Sequence, residues 1–255
     1  MLDRAFGSES DVHERALTRL AGGIANRGYQ CGMLWGATLA VGAEAGRRCD
    51  EPSEAIGLAL AATGQVVASF EGRSQTVDCR DITGRNLGTV RGLAGLMFDT
   101  LRRGMDQSRC FVLAEDWTSE AIDAATEGLA AVPDHQRAPR SCASEVVAKM
   151  GGTDQEAVMV AGFGGGLGLR GGGCGALAAA IWMKGLRWCR AHPGKSPSPW
   201  TNTGDKRTLA VFSEATGDEF SCQKICGRTF DGVDDHAEFI EAGGCRALID
   251  ALAES

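Results

Sequence analysis

The chain has 255 residues, a formal net charge of −7 and ten cysteines. A chain of this length folds into one or two domains, and because it has no basic stripe, a nucleic acid is not an expected partner. The polar, acidic segment Met1–Glu14 lacks the apolar core of a signal peptide, and the longest apolar run, Ala176–Met183, is too short to span a membrane. We therefore expect a cytoplasmic protein without a membrane span. Structural disulfides are rare in that compartment, so ten cysteines indicate metal ligation or redox chemistry.

Apolar residues recur at helical spacing along most of the chain. The segments that this spacing predicts as helices are Asp11–Leu20, Gly32–Val41, Val90–Arg103, Thr118–Leu129, Ser144–Met150, Asp154–Ala161, Gly175–Met183, Ala237–Ile240 and Arg246–Ala253. Two runs have a strand-like composition, Gln65–Phe70 and Leu209–Phe212, which a buried helical turn shares. Pro133–Pro139 predicts a linker, and the proline-rich segment Pro193–Asp205 predicts a surface loop. The sequence therefore predicts an all-α fold.

One segment of the chain recurs 143 residues later without a gap. Gly22–Gly42 and Gly165–Gly185 share nine of 21 positions, including Cys31 with Cys174. The same offset relates Cys79 to Cys222, and a shorter offset of 135 relates Cys110 to Cys245. This pattern predicts an internal duplication, in which residues 1–132 and 140–255 form two related helical units packed as a pseudo-dimer.

The second copy carries a distinctive series of cysteine and glycine motifs. In chain order these are Ser141-Cys142-Ala143, Gly162-Phe163-Gly164-Gly165-Gly166, Cys174-Gly175-Ala176, the run from Ser221-Cys222 to Gly227, and Cys245 before a terminal helix. Over about Ser141–Glu254 this series resembles the family of redox-active proteins named for its pattern, C_GCAxxG_C_C. It departs from that pattern at Ala179-Ala180, where a trailing glycine is expected.

The resemblance implies a redox role with four cysteine ligands, Cys142, Cys174, Cys222 and Cys245. Some members, of the split-Soret cytochrome type, join such a domain to haem and carry an iron–sulfur centre. This chain has no Cys-x-x-Cys-His motif, so covalent haem is not expected. The resemblance therefore implies a [2Fe–2S] or [4Fe–4S] cluster, which needs four converging thiolates.

Residues beside the second-copy cysteines suit such a cofactor. Helix starts favour a thiolate at Cys174 and Cys245, and Gly171, Gly173 and Gly175 would let the backbone approach a bulky cofactor. The alternative role of these glycines is tight helix packing. Arg170 could neutralise the cluster, or it could form a salt bridge that braces the fold.

The first copy has fewer of the family's cysteines. It keeps Cys31, Cys79 and Cys110 but supplies no equivalent of Cys142, so a second site would need Cys49 or an outside ligand. The alternative is a degenerate copy that only mimics a dimer partner. The unmatched Cys49, Cys189 and Cys226 are otherwise expected as small core residues.

Three functions are open at this stage. The first is an iron–sulfur protein that exchanges electrons with a partner protein, and the second is a thiol-transfer enzyme with Cys174 as its nucleophile. The third is a structural zinc module, which long cysteine spacings without a short knuckle disfavour. Either a homodimer or a pseudo-dimeric monomer would fit the duplication.

Overall fold

The computed structural model describes residues 2–7, 10–104, 106–131, 135–198 and 204–255. Within these ranges the chain is all-α, with fourteen α-helices, two short 3-10 turns and no strand. The prediction of an all-α fold is confirmed. The two strand-like runs, Gln65–Phe70 and Leu209–Phe212, lie inside long helices.

The described helices divide equally between the two halves. The first half, residues 1–132, contains α1 Leu2–Ala5, α2 Asp11–Ala16, α3 Gly32–Arg48, α4 Pro52–Ser74, α5 Cys79–Thr83, α6 Val90–Arg103 and α7 Arg109–Ala130. The second half, residues 140–255, contains α8 Cys142–Lys149, α9 Asp154–Met159, α10 Gly175–Ala191, α11 Gly204–Thr216, α12 Cys222–Cys226, α13 Val233–Glu241 and α14 Arg246–Glu254. The predicted linker and the predicted loop lie partly outside the described residues. The described part of the linker, 135–139, and residues 193–198 of the loop are not helical, whereas the last two residues of the predicted loop, Gly204 and Asp205, begin α11.

Local signals explain where several helices begin. The Thr89 side chain accepts a hydrogen bond from the backbone N–H of Gly92 and so caps α6. Thr153 and Glu156 form a reciprocal capping box at the start of α9. Pro52 occupies the first turn of α4, where its missing N–H costs no helical hydrogen bond.

One apolar core joins the two halves. Trp35 on α3 packs edge to face on Phe163 of the second half, with ring centroids 4.9 Å apart. Gly42 on α3 lies against the backbone of Met159, and Gly185 on α10 lies against the backbone of Ala16. These two contacts are reciprocal, since both the glycines and their partners are 143 residues apart.

The two halves repeat an unusual backbone turn. In Gly22–Gly28 and in Gly165–Gly171, six of the seven residues have positive φ, the exceptions being Arg27 and Arg170. Residues other than glycine occupy this left-handed region only at a cost of about 1–2 kcal/mol each. The glycines reduce that cost. In both halves the turn is followed by a residue in an isolated β-bridge, Gln30 or Gly173, and then by the cysteine before the long helix.

Backbone hydrogen bonds around the cysteines also recur at the 143-residue offset. The Cys31 N–H donates to Val77 O and the Cys174 N–H to Phe220 O, both at 2.8 Å. Isolated β-bridges join Gln30 to Asp78 and Gly173 to Ser221. These matched features are what a duplication would leave, while the duplication and the two-unit division of the chain stay predictions of the sequence.

Two further features concern the first half. By length and composition, α4 alone among the described helices could cross a membrane, and 56% of its most apolar window is buried inside the protein. The outer face of α6 and the start of α7 expose large apolar side chains, namely Val90, Met97, Phe98, Leu101, Phe111 and Val112.

Candidate cysteine site

Five cysteines of the second half line one cavity. They are Cys142, Cys174, Cys222, Cys226 and Cys245. Four of them are the cysteines of the predicted ligand set, and Cys226 is an addition. We call this space the cysteine cavity.

Each of these cysteines is held at a helix boundary. Cys142 is the first residue of α8, Cys174 directly precedes α10, and Cys245 directly precedes α14. Cys222 and Cys226 are the first and last residues of α12, so they lie one turn apart on the same helix. Four separate elements therefore bring their sulfurs to one place.

The measured sulfur contacts all involve Cys226. Its Sγ lies 3.9 Å from Cys222 Sγ and 3.6 Å from Cys245 Sγ. The rest of the cavity wall is mainly apolar, formed by Ala176, Ile225, Phe230, Phe239, Ile240 and Leu248, together with His236. The cavity volume is about 10 Å³, which is room for a single water molecule.

Burial keeps these thiols protonated in the metal-free protein. It raises the pKa of Cys142 and of Cys174 to about 12, against hydrogen bonds from the backbone N–H of Gly165 to Cys142 and of Ala176 and Leu177 to Cys174. In the metal-free state burial therefore outweighs the effect of the helix start on the Cys174 thiol. Because Cys174 is buried and protonated in this state, it does not suit a nucleophile in thiol transfer.

Hydrogen bonds between neighbouring thiols also shift their pKa values. Donation to Cys222 and then burial raise the pKa of Cys226 to about 12, and the hydrogen bond to Cys226 raises the pKa of Cys245. Hydrogen bonding from Cys226 lowers the pKa of Cys222, but burial and the neighbouring thiols outweigh this and raise it. A metal entering the cavity would have to displace these protons.

The donor set suits a soft metal, although the sulfurs do not surround a common point. Among the described residues, no three or more His, Cys, Asp or Glu side chains are arranged as a group that could hold a metal ion. Thiolates are nevertheless the ligands of zinc and of iron–sulfur clusters. The residues of the cavity therefore fit such a group by chemistry, and binding would require the sulfurs to rearrange.

His236 is the polar side chain of the cavity wall. Its Nδ1 donates a hydrogen bond of 3.0 Å to the carbonyl oxygen of Arg140. Burial lowers the pKa of His236 to about 4, so the ring is neutral at pH 7. It adds no charge to the cavity and does not activate a thiol by charge.

Cys226 is the residue that sequence reasoning missed. It was expected in the core together with Cys49 and Cys189, because it has no cysteine partner at the 143-residue offset. The available signal was its spacing from Cys222, since residues four apart in a helix share one face. Cys189, by contrast, is a core residue as expected: it is 1% exposed within α10 and does not line the cavity.

The glycines expected at the cofactor have other roles in the structure. The N–H of Gly173 donates to Gln30 Oε1 at 2.8 Å, which ties the two halves together. The carbonyl of Gly171 accepts from the Gln223 N–H and the Ser221 hydroxyl. Gly175 lines the cavity, but a Cβ there would overlap the Phe163 carbonyl. Tight packing, the alternative named from the sequence, accounts for these contacts.

Arg170 does not point at the cysteines. It forms an exposed salt bridge with Glu71 of the first half, at 3.0 Å. Arg27, its counterpart 143 residues earlier, lies over the Phe220 ring of the second half at 5.3 Å. The assignment of Arg170 to the cofactor is therefore corrected, and both arginines bridge the halves.

The first half brings three cysteines together. Cys31, Cys79 and Cys110 lie close enough for the charge of one to affect the others, and burial raises the pKa of Cys31 to about 12 and of Cys79 to about 11. Cys110 also lines a cavity of about 310 Å³ whose wall includes Thr83, the counterpart of Cys226. The space beside Cys110 is therefore larger and more polar than the cysteine cavity.

Cys49 does not complete that trio. It ends α3, whereas Cys31 begins it, so the two are roughly 27 Å apart at 1.5 Å per residue. The groups that affect its pKa are Glu54, Asp50 and Arg48, and they include no other cysteine. This separation excludes Cys49 as the fourth ligand that the sequence suggested for the first half.

Comparison with known proteins gives one result that bears on function. No curated protein matches the chain, and no solved structure does. Residues 1–122 match the family model described as "Putative redox-active protein (C_GCAxxG_C_C)". The match falls on the half that the sequence analysis treats as the degenerate copy, which retains Cys31, Cys79 and Cys110. Residues 1–122 of this chain are therefore similar to the C_GCAxxG_C_C family.

Proposed function

We propose that the protein is a cytoplasmic electron-transfer protein that binds an iron–sulfur cluster in the cysteine cavity. The observation that carries this proposal is that five cysteines from four separate elements line one buried, largely apolar space. We assign the four ligands to Cys142, Cys174, Cys222 and Cys245. The family whose model matches residues 1–122 is described as redox-active, which supports the class of function.

The surroundings of the sulfurs support a negatively charged centre. Backbone N–H groups of Gly165, Ala176 and Leu177 already point to the thiols of Cys142 and Cys174. Such hydrogen bonds to sulfur are one of the factors that set a cluster's reduction potential. The side chains of Phe230 and Phe239 would exclude water from the same space. A bound cluster would supply one-electron chemistry, and a partner protein would supply or accept the electron.

A structural zinc ion is the second candidate, and one observation favours it. A tetrahedral zinc site with Zn–S bonds of 2.3 Å has sulfurs about 3.8 Å apart. The contacts of Cys226 with Cys222 and Cys245 measure 3.9 and 3.6 Å. Cys222 and Cys226 also form a short-spaced pair, which removes the argument against zinc that the long spacings gave.

Metal analysis of protein purified without air tests the two candidates. We expect iron and acid-labile sulfide, with a visible absorption band that Cys174→Ser largely abolishes. Cys189→Ser is the matched control, because Cys189 is a buried cysteine on the same helix that does not line the cavity. Zinc without sulfide would refute the iron–sulfur proposal in favour of the structural site. Free thiols with no metal would refute both.

A further inference from the structure

Of the two sulfur contacts that Cys226 makes in the cysteine cavity, the contact with Cys245 is the shorter, at 3.6 Å. We propose that in the metal-free protein Cys226 and Cys245 form a reversible disulfide, which gives this state a two-electron thiol activity. This proposal uses Cys226, which lies outside the four-cysteine pattern. Because Cys245 is also a proposed cluster ligand, the disulfide and the cluster exclude each other in one molecule, and the disulfide is tested without metal.

The geometry selects this pair over the alternative Cys222–Cys226. The Sγ atoms of Cys226 and Cys245 are 3.6 Å apart, so they need to approach by about 1.6 Å to reach the S–S bond length of roughly 2.05 Å. Cys226 and Cys245 are both partly exposed, whereas Cys222 is buried. An oxidant from solution can therefore reach the first pair more readily.

The backbone at Cys245 supports a special role for its side chain. Its φ of 56° places it in the left-handed region, which costs a residue with a Cβ about 1–2 kcal/mol. It follows Gly243 and Gly244 and precedes α14, a position that glycine would occupy without this cost. Strained residues of this kind gather at functional sites, and here the strained conformation directs a thiol to Cys226.

The reaction balances with a small-molecule disulfide as oxidant. Cys226 or Cys245 first loses its thiol proton to solvent, and its sulfur then attacks one sulfur of the oxidant, so a mixed disulfide forms and one small thiolate leaves. The other cysteine then attacks the protein sulfur of that mixed disulfide and releases the second small thiolate. In total, two protein thiols lose two electrons and two protons, and the oxidant is reduced to two thiols.

The cut sites of trypsin allow the disulfide to be located. Cleavage at Lys224, Arg228 and Arg246 separates the three candidate cysteines onto different peptides. Cys222 falls in residues 208–224, Cys226 in residues 225–228 and Cys245 in residues 229–246. Each pairing therefore gives a cross-linked peptide of a different mass.

The experiment uses the full chain, reduced and freed of metal with a chelator, in a series of oxidised and reduced glutathione mixtures. Remaining thiols are blocked with iodoacetamide before digestion without reductant. We expect the peptide 225–228 linked to 229–246 as the main product, reversed by dithiothreitol. Cys226→Thr places in the second half the residue that the first half has at Thr83, and it should abolish the product, whereas Cys189→Ser should not.

Three outcomes would overturn the proposal. One is a main product that links residues 208–224 to 225–228, which would show that Cys222 is the partner. Another is the absence of any intramolecular disulfide in a mixture that fully oxidises free dithiothreitol. The third is a disulfide that forms equally in Cys226→Thr. Far-ultraviolet circular dichroism of each variant distinguishes a lost disulfide from a lost fold.

Discussion

Replacing Gly42 by alanine tests the reciprocal packing of the two halves. A Cβ at this position of α3 would overlap the carbonyl group of Met159 and the carbonyl oxygen of Val158, and these backbone atoms cannot rotate away. Overpacking of this kind costs about 1–3 kcal/mol, whereas alanine in a helix is favoured over glycine by about 1 kcal/mol. We expect Gly42→Ala to lower the free energy of unfolding by up to about 2 kcal/mol.

Gly36→Ala is the matched control on the same helix. A Cβ at Gly36 meets only the Leu17 side chain, at 3.9 Å, which is an ordinary contact. The helical preference for alanine should then raise the free energy of unfolding by about 0.5–1 kcal/mol. Urea unfolding followed by circular dichroism would measure both variants, together with Gly185→Ala, the counterpart of Gly42→Ala in α10. If Gly42→Ala is as stable as Gly36→Ala, the close approach of the halves is refuted.

Two more predictions concern the cysteines and the buried histidine. In brief iodoacetamide labelling of the reduced, metal-free protein, the partly exposed cysteines should react before the buried ones, and peptide mass spectrometry that finds Cys174 labelled as fast as Cys110 would contradict this order. Burial lowers the pKa of His236 to about 4, below about 6.5 in the unfolded chain, so between these values the unfolded state binds the proton more strongly. Stability should therefore fall as pH drops from about 6.5 to 4, by up to ~3 kcal/mol, and urea unfolding across this range should show a smaller fall for His236→Gln.

Helices with one apolar and one exposed face were predicted from the sequence more accurately than helices that are apolar on most sides. The bounds of α6 were predicted in full, because one face of this helix is apolar and Gly104 ends it with a φ of 90°. For α4, the sequence predicted only a strand-like run at Gln65–Phe70, because this central helix is apolar around most of its circumference and shows little periodicity. For α11, it likewise predicted only the strand-like run Leu209–Phe212.

The candidate site shows the same limit. The pattern of the second copy identified four of the five cysteines in the cavity, because their places are marked by glycine-rich turns and helix starts. It did not identify Cys226, whose role depends on the position of Cys245, 19 residues away. Nor did it indicate that Gly173 binds Gln30, since that contact joins residues 143 apart. Such contacts arise from the packing of the halves, which local pattern does not encode.

The two halves share their backbone turns but differ in how their cysteines are covered. In the second half, Phe239 and Ile240 of α13 help to close a cavity of about 10 Å³ around five thiols. In the first half, Leu96 of α6 lines a cavity of about 310 Å³, while Met97, the counterpart of Ile240, is 55% exposed. The half that matches the family model therefore has open space beside Cys110, although its Cys31 and Cys79 are buried, whereas the space among the five cysteines of the second half is closed. Metal binding in the second half would require α12, α13 or α14 to move, because the closed cavity has no room for a cluster. Control of metal binding would therefore lie in α12 and α13, which carry Cys222, Cys226 and part of the cavity wall, and in α14, which Cys245 directly precedes.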